Sequence, residues 1–230
     1  MYDALLLDHD GVIVHLHDID ALKRGIETHG APFFETLGVR PDAELLDVLS
    51  IDVRKSQVLE LADKHDVSAG ALWQCRDDAI ETTLVQATRD GQKNPYDDVG
   101  MLADVDVPLG VVSNNQRRIV EFMLDYHGLR EQFDTVWARE PTIESLQVKK
   151  PSPTYLTRAM ADLGASRPLF VGDSETDVIG ANRAGIDVAY LCREHNAETS
   201  LTADPTYDVD GLREVVEILQ ETTATAERQS

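Results

Sequence analysis

The sequence predicts an α/β protein, a Rossmann-like doubly wound parallel sheet with a block of helices inserted near its start. Three observations carry this. Short apolar runs ending in polar turns (Leu5-Leu6-Leu7-Asp8, Leu109-Gly110-Val111-Val112-Ser113 and Leu169-Phe170-Val171-Gly172-Asp173) read as strands buried on both faces. They alternate with stretches of helical periodicity, as crossovers between parallel strands require. Between Val14 and Lys93 the pattern is helical throughout, with no convincing strand.

Taken in order, the opening strand stops at Asp8-His9-Asp10-Gly11, where Gly11 lets the backbone turn without a Cβ in the way. Leu16, Ile19, Leu22 and Ile26 then recur at helical spacing, with Asp18 or Asp20 as cap, and Pro32 and Gly38 punctuate the next stretch. Pro41 to Glu44 reads as a first helical turn, a further helix is expected over 53–65, and Ser68 caps another running to Gly91. Beyond Pro95 the spacing predicts a short helix at 99–103, a strand at 107–113, a helix at 116–127 ended by Gly128, and a strand at 133–138. A polar loop at 139–149 is expected to be mobile. A helix after Pro153, a strand at 168–173, a helix at 175–184 ended by Gly185, a last strand at 186–191 and a helix at 211–220 complete the chain. Residues 1–14 and 94–220 are thus the expected core, 15–93 a helical insert, and 221–230 a disordered tail.

Composition narrows the function classes. Forty-two acidic residues against 21 basic ones give a formal net charge of −21, which repels nucleic acid and anionic membrane surfaces. Six lysines accompany fifteen arginines, and an acidic surface of this size suits a protein working in concentrated salt, where screening removes self-repulsion. No apolar run approaches the roughly 18 residues of a membrane span, and no signal segment opens the chain, so a soluble, cytoplasmic protein is expected. Cys75 and Cys192 are too few for a disulfide framework and read as core residues.

Four loops carry the chemistry: 8–11, 113–115, Lys150-Pro151 and 172–177. The carboxyl ends of parallel strands share one edge, so the first, second and fourth converge there. Together they supply several carboxylates for a hard cation such as Mg²⁺, a hydroxyl with helix-start amides, and one lysine for phosphate oxygens. A free carboxylate beside these can accept a phosphoryl group.

At these residues the chain resembles the haloacid dehalogenase superfamily of hydrolases: the DxDG opening, the strand ending in serine, the KPxP segment and GDxxxD stand in the family's order. The resemblance implies a core with an inserted helical cap over 15–93. It implies that Asp8 is the nucleophile and a Mg²⁺ ligand. Asp10 is then the acid/base, with its backbone carbonyl on the metal, and Ser113 and the Asn114 amide bind phosphate. Lys150 neutralises phosphate and nucleophile, Asp173 is a direct metal ligand, and Asp177 acts on the metal through water or from behind the direct ligands. Dehalogenases of the family lack the second aspartate, so Asp10 implies phosphate chemistry: a phosphatase of a small phosphorylated metabolite such as phosphoglycolate, with a sugar phosphomutase or a catalytically silent binding module as alternatives. Outside the motifs, His9 reads as a packing or orienting residue, His15 and His17 as solvated, Lys149 as a solvated lysine and Trp73 as core of the insert. Arg24, Arg76 and Arg89 are equal candidates for a positive charge facing the substrate. Substrate and oligomeric state stay open.

Overall fold

The computed structural model describes residues 1–227. Six strands form one sheet: β1 (Ala4–Leu7), β2 (Leu109–Gln116), β3 (Thr135–Arg139), β4 (Pro168–Gly172), β5 (Asp187–Leu191) and β6 (Tyr207–Val209). Their order is β3-β2-β1-β4-β5-β6 and every neighbouring pair is parallel. The chain builds outward from β1 to one edge, then returns to β4 and builds to the other. The order therefore reverses between β1 and β4, the place where open sheets bind ligands.

Period-two alternation explains the run of leucines in β1. Leu5 and Leu7 face one core layer with Val111, Leu169, Val171, Val120 and Leu212, while Leu6 faces the other with Val112, Phe170, Tyr155 and Val178. Helices α5 (Arg117–Tyr126), α6 (Thr154–Leu163), α7 (Glu175–Ala184) and α8 (Leu212–Glu227) cover the sheet.

The helical block holds α1 (Ile19–Thr36), α2 (Ala43–Ser50), α3 (Lys55–Lys64) and α4 (Ala69–Arg89). Asp18, Asp42 and Ser68 cap α1, α2 and α4 by accepting the amides of Ala21, Leu45 and Ala71. Helices α1 and α4 approach closely because Gly25 has no side chain: a Cβ there would lie 2.1 Å from Thr83 Oγ1. The chain leaves and re-enters the sheet region at one point. There the His15 amide donates to the Asn94 carbonyl and the Tyr96 amide to that of Ile13, each at 3.0 Å.

Several expectations change. Pro32 lies inside α1 instead of ending it. The segment expected as a mobile loop at 139–149 contains a 3₁₀ turn, Ile143–Gln147, docked by buried Ile143 and Leu146. Strand β6 escapes sequence reading because three edge residues carry too little pattern. The expected tail is helical up to Glu227: α8, anchored by buried Val215 and Leu219, propagates through a segment without glycine or proline. Residues 228–230 lie outside the described ones. Among the described residues no helix is long and apolar enough to cross a membrane.

Candidate active site

Asp8 and Asp173 follow adjacent strands directly, and the Asp8 amide donates to the Val171 carbonyl at 2.9 Å, which locks the two strand ends together. Gly11 makes room for this approach. A Cβ at Gly11 would stand 1.9 Å from Asp173 Oδ2, and the residue has φ +82°. Asp177 lies one turn into α7. Its Oδ2 caps that helix, accepting from Ser174 N at 3.1 Å and Ser174 Oγ at 2.6 Å, while Oδ1 faces Lys150. The carboxylates of Asp8, Asp173 and Asp177 offer oxygens all within 4.8 Å of one another.

Lys150, 1% exposed, stands among them: its Nζ is 2.9 Å from Asp8 Oδ1 and 2.7 Å from Asp177 Oδ1, and it donates to the Val112 carbonyl at 2.8 Å. The Asn114 side chain clamps the lysine's backbone from both sides, with Oδ1 accepting from Lys150 N at 2.7 Å and Nδ2 donating to Lys150 O at 3.0 Å. This reach is possible because β2 breaks register between Val112 and Gln116 and bulges at 113–115. Ser113 Oγ, buried in that bulge, accepts the Asn115 amide at 3.1 Å; no hydrogen bond joins it to Asp8 or Lys150.

One lysine does not balance the cluster. Burial pushes the Asp8 carboxyl well above the usual carboxylate range; Lys150 opposes this, and Asp177 and Asp173 reinforce it. Burial likewise raises Asp173, against the pull of His195, whose Nε2 lies 2.6 Å from Asp173 Oδ2. Asp10 is the reverse case. Burial again favours its neutral form, yet Lys93 and His9 hold its carboxyl far below the usual range. Lys93, also 1% exposed, ion-pairs with Asp10 Oδ1 and donates to the His15 carbonyl at 2.8 Å; Asn115 Nδ2 donates to Asp10 Oδ2 at 2.9 Å.

From Asp10, Asn114 and Asn115 a pocket of about 240 Å³ opens toward the helical block, lined also by Trp73, Arg76, Arg139 and Lys149.

A family described as haloacid dehalogenase-like hydrolase matches residues 77–191, half of the 230-residue chain. The chain belongs to this family. Relatives include an (S)-2-haloacid dehalogenase from Pseudomonas sp. (strain YL), 29% identical over 122 residues that cover 52% of this chain and 51% of that protein. A phosphoglycolate phosphatase from Pseudomonas fluorescens (strain Pf0-1) is 29% identical over 113 residues, 48% of this chain and 40% of that protein. The matches thus span about half the length of these curated relatives. In fold, the chain is similar to CbbY from Rhodobacter sphaeroides, solved in complex with phosphate: TM-score 0.67, 19% identity, 92% of this chain and 95% of that one.

Of the residues expected from this hydrolase family's motifs, Asp8, Lys150, Asp173 and Asp177 come together in one cluster. The Asp10 side chain stays outside the acidic cluster and faces Lys93 and Asn115, so any metal contact from it falls to its backbone carbonyl. His9 is fully buried with Nδ1 3.3 Å from Asp10 Oδ2. Lys149 is not the solvated lysine expected: it lines the pocket, where burial lowers its ammonium below the usual range. Among the three candidate arginines the pocket takes Arg76. Arg24 is an exposed partner of Asp18, and Arg89 lies over the Phe122 ring. Sequence reasoning missed Lys93, Asn115, Arg139, His195 and Asn196, whose Nδ2 donates to the Asp173 carbonyl at 2.8 Å. Arg139 is the last residue of β3 and the 193–196 segment follows the carboxyl end of β5, so the sheet-edge rule, applied to every strand, points to them.

Proposed function

We propose that the chain is a Mg²⁺-dependent phosphatase of small phosphomonoesters that works through a phosphorylated Asp8. The observation that carries this reading is the pairing of an under-neutralised cluster, Asp8, Asp173 and Asp177 around Lys150, with a separately neutralised carboxylate, Asp10, two residues from the nucleophile.

The cluster fits a small hard cation. It offers only carboxylate oxygens, its burial raises Asp8 and Asp173, and Asp8 and Asp177 must share the single ammonium of Lys150. Asp8, Asp173 and Asp177 would hold Mg²⁺, with the Asp10 carbonyl beside them. When bound, the ion screens the charge of phosphoryl oxygens against the nucleophile.

Asp8 Oδ1 is held by the His9 amide at 2.7 Å and by Lys150 at 2.9 Å, which fixes the carboxylate and leaves Oδ2 to attack. Asp8 forms the new O–P bond as the ester P–O bond breaks, and the departing alkoxide takes the proton that a monoanionic ester brings, relayed through Asp10. Water then attacks phosphorus, Asp10 takes its proton, inorganic phosphate leaves and the Asp8 carboxylate is restored. Lys93 and Asn115 aim Asp10 throughout. By holding it ionised they favour its proton-accepting half, the activation of water. Ser113 and the Asn114 amide bind phosphate oxygens, and the Asn114 side chain keeps Lys150 in place. A haloacid dehalogenase has no alkoxide to protonate, so an Asp10 held by three side chains supports phosphate-ester chemistry.

The test is phosphate release from a panel of small phosphomonoesters, with Mg²⁺ and with chelator, and chloride release from 2-chloropropionate in parallel. Mg²⁺-dependent phosphate release alone is expected. Chloride release, or no phosphate release from any ester, overturns the reading. Running the panel at low and molar potassium chloride tests the salt adaptation we infer from the −21 charge: activity and thermal stability are expected to rise with salt.

A further inference from the structure

The phosphoryl chemistry leaves the far wall of the pocket unused, and that wall inverts the charge of the chain. Arg76 on α4 and Arg139 at the end of β3 share one carboxylate, the fully buried Asp77. Arg139 Nη1 and Nη2 each lie 2.8 Å from an Asp77 oxygen, and Arg76 Nη1 lies 2.9 Å from Oδ1. Arg76 is held further by the Leu49 and Ser50 carbonyls, at 2.8 and 3.1 Å. Both guanidiniums stand near the Trp73 ring, 5.0 and 4.8 Å from its centroid.

Two guanidiniums against one carboxylate leave a positive charge where water is scarce. Lys149 adds another. It has no ion pair among the described residues. Burial and the two guanidiniums push its ammonium downward, with the exposed Asp52 alone opposing. Donors are also left over: Arg139 bonds only through its Nη atoms, and the buried Trp73 indole N–H has no partner. A protein with twice as many acidic as basic residues has placed a cation surplus in this one pocket.

We propose that Arg76, Arg139 and Lys149 form a second anion site, which takes a carboxylate or second phosphate of a substrate whose scissile phosphate lies at Asp8. This rests on the phosphatase reading and narrows it to small molecules that carry a second anionic group beyond the scissile phosphate. A sugar monophosphate, with only hydroxyls beyond its phosphate, leaves the surplus charge unmatched.

The test compares kcat/KM for two substrates with a second anionic group, 2-phosphoglycolate and inorganic pyrophosphate, with that for ethyl phosphate and glycerol 2-phosphate, which have none. The expected preference for a second anionic group is about tenfold or more, the worth of one charge-assisted hydrogen bond. The two charged substrates separate a carboxylate-binding site from a phosphate-binding one. Lys149→Met should reduce the preference by about tenfold. Arg76→Lys, which keeps the charge at a site where Arg76→Met would strand Asp77, should reduce it less. Lys64→Met, which removes an exposed ammonium on α3, should leave the ratio where it was. Ester hydrolysis without any preference overturns the anion site and spares the phosphatase. If no ester is turned over, calorimetric binding of 2-phosphoglycolate decides: weaker binding by Lys149→Met supports the site, and equal binding by both proteins overturns it.

Discussion

Asp8, buried, and Asp10, half-buried, stand two residues apart, each beside a lysine that is itself 1% exposed, yet their surroundings drive them in opposite directions. Lys150 is divided between Asp8 and Asp177, with Asp173 close by, so negative charge is left over and Asp8 is raised. Lys93 serves Asp10 alone, helped by Asn115 and His9, and Asp10 is lowered. The difference is one of stoichiometry. A carboxylate with its own ammonium is held ionised and ready to accept a proton, whereas carboxylates that share one ammonium keep negative charge that a further cation can take up.

The contrast can be broken at either lysine. The largest effect is expected from Lys150→Met: turnover should fall about 10²–10³-fold with loss of a preorganised charge. Leaving Asp8 and Asp177 face to face without their partner should also cost roughly 3–5 kcal/mol of stability in denaturant unfolding. Unchanged stability would mean that the three carboxylates need no counter-charge.

Next comes the cation itself. Asp8 and Asp173 are raised in the folded protein, so without metal the folded chain retains protons that the unfolded chain releases. Stability therefore falls as pH climbs from the unfolded carboxylate range, about 4, toward the raised folded values. Mg²⁺ should restore it above that window and do little below it. At a hundredfold excess over Kd the gain is about 2.7 kcal/mol, several degrees in Tm, at pH 8. Thermal unfolding with and without Mg²⁺ at pH 4 and pH 8 reads this directly, and equal shifts at both would remove the basis of the comparison.

The smallest effect belongs to Lys93→Met. Losing the ammonium that lowers Asp10 should raise its carboxyl toward the usual carboxylate range, so the acid limb of kcat, set by Asp10 as the base that activates water, moves up while the Mg²⁺ response persists. An unmoved limb would show that Asp10 does not limit the acid side.

Much of this is legible in the sequence, for reasons that differ by residue. Leu5-Leu6-Leu7 reads as a central strand because burial on both faces removes polar residues from it, and the acidic turn after it is confined to a sheet edge by topology. Asp173, Asp177 and Lys150 are legible because they sit in local patterns. Lys93 is not: it lies 83 residues from Asp10, in a linker with no motif, and only the side-by-side pairing of residues 13–15 with 94–96 brings it to the site. The buried Arg139–Asp77 pair spans 62 residues and joins a strand end to a helix of the insert, a contact that periodicity cannot report. Lys149 defeats the sequence reading because the solvation of a lysine depends on what packs over it, here the pocket wall around Arg76 and Arg139.

The most direct test of the account is steady-state phosphate release from 2-phosphoglycolate with Mg²⁺ by wild type and by Asp8→Asn, alongside the thermal unfolding of both. The account predicts a loss of at least about 10⁴-fold in the variant, because the nucleophile is gone, in a protein that still folds and unfolds cooperatively. An Asp8→Asn protein that still releases phosphate at near wild-type rate would contradict it, since the ester would then be cleaved without passing through Asp8.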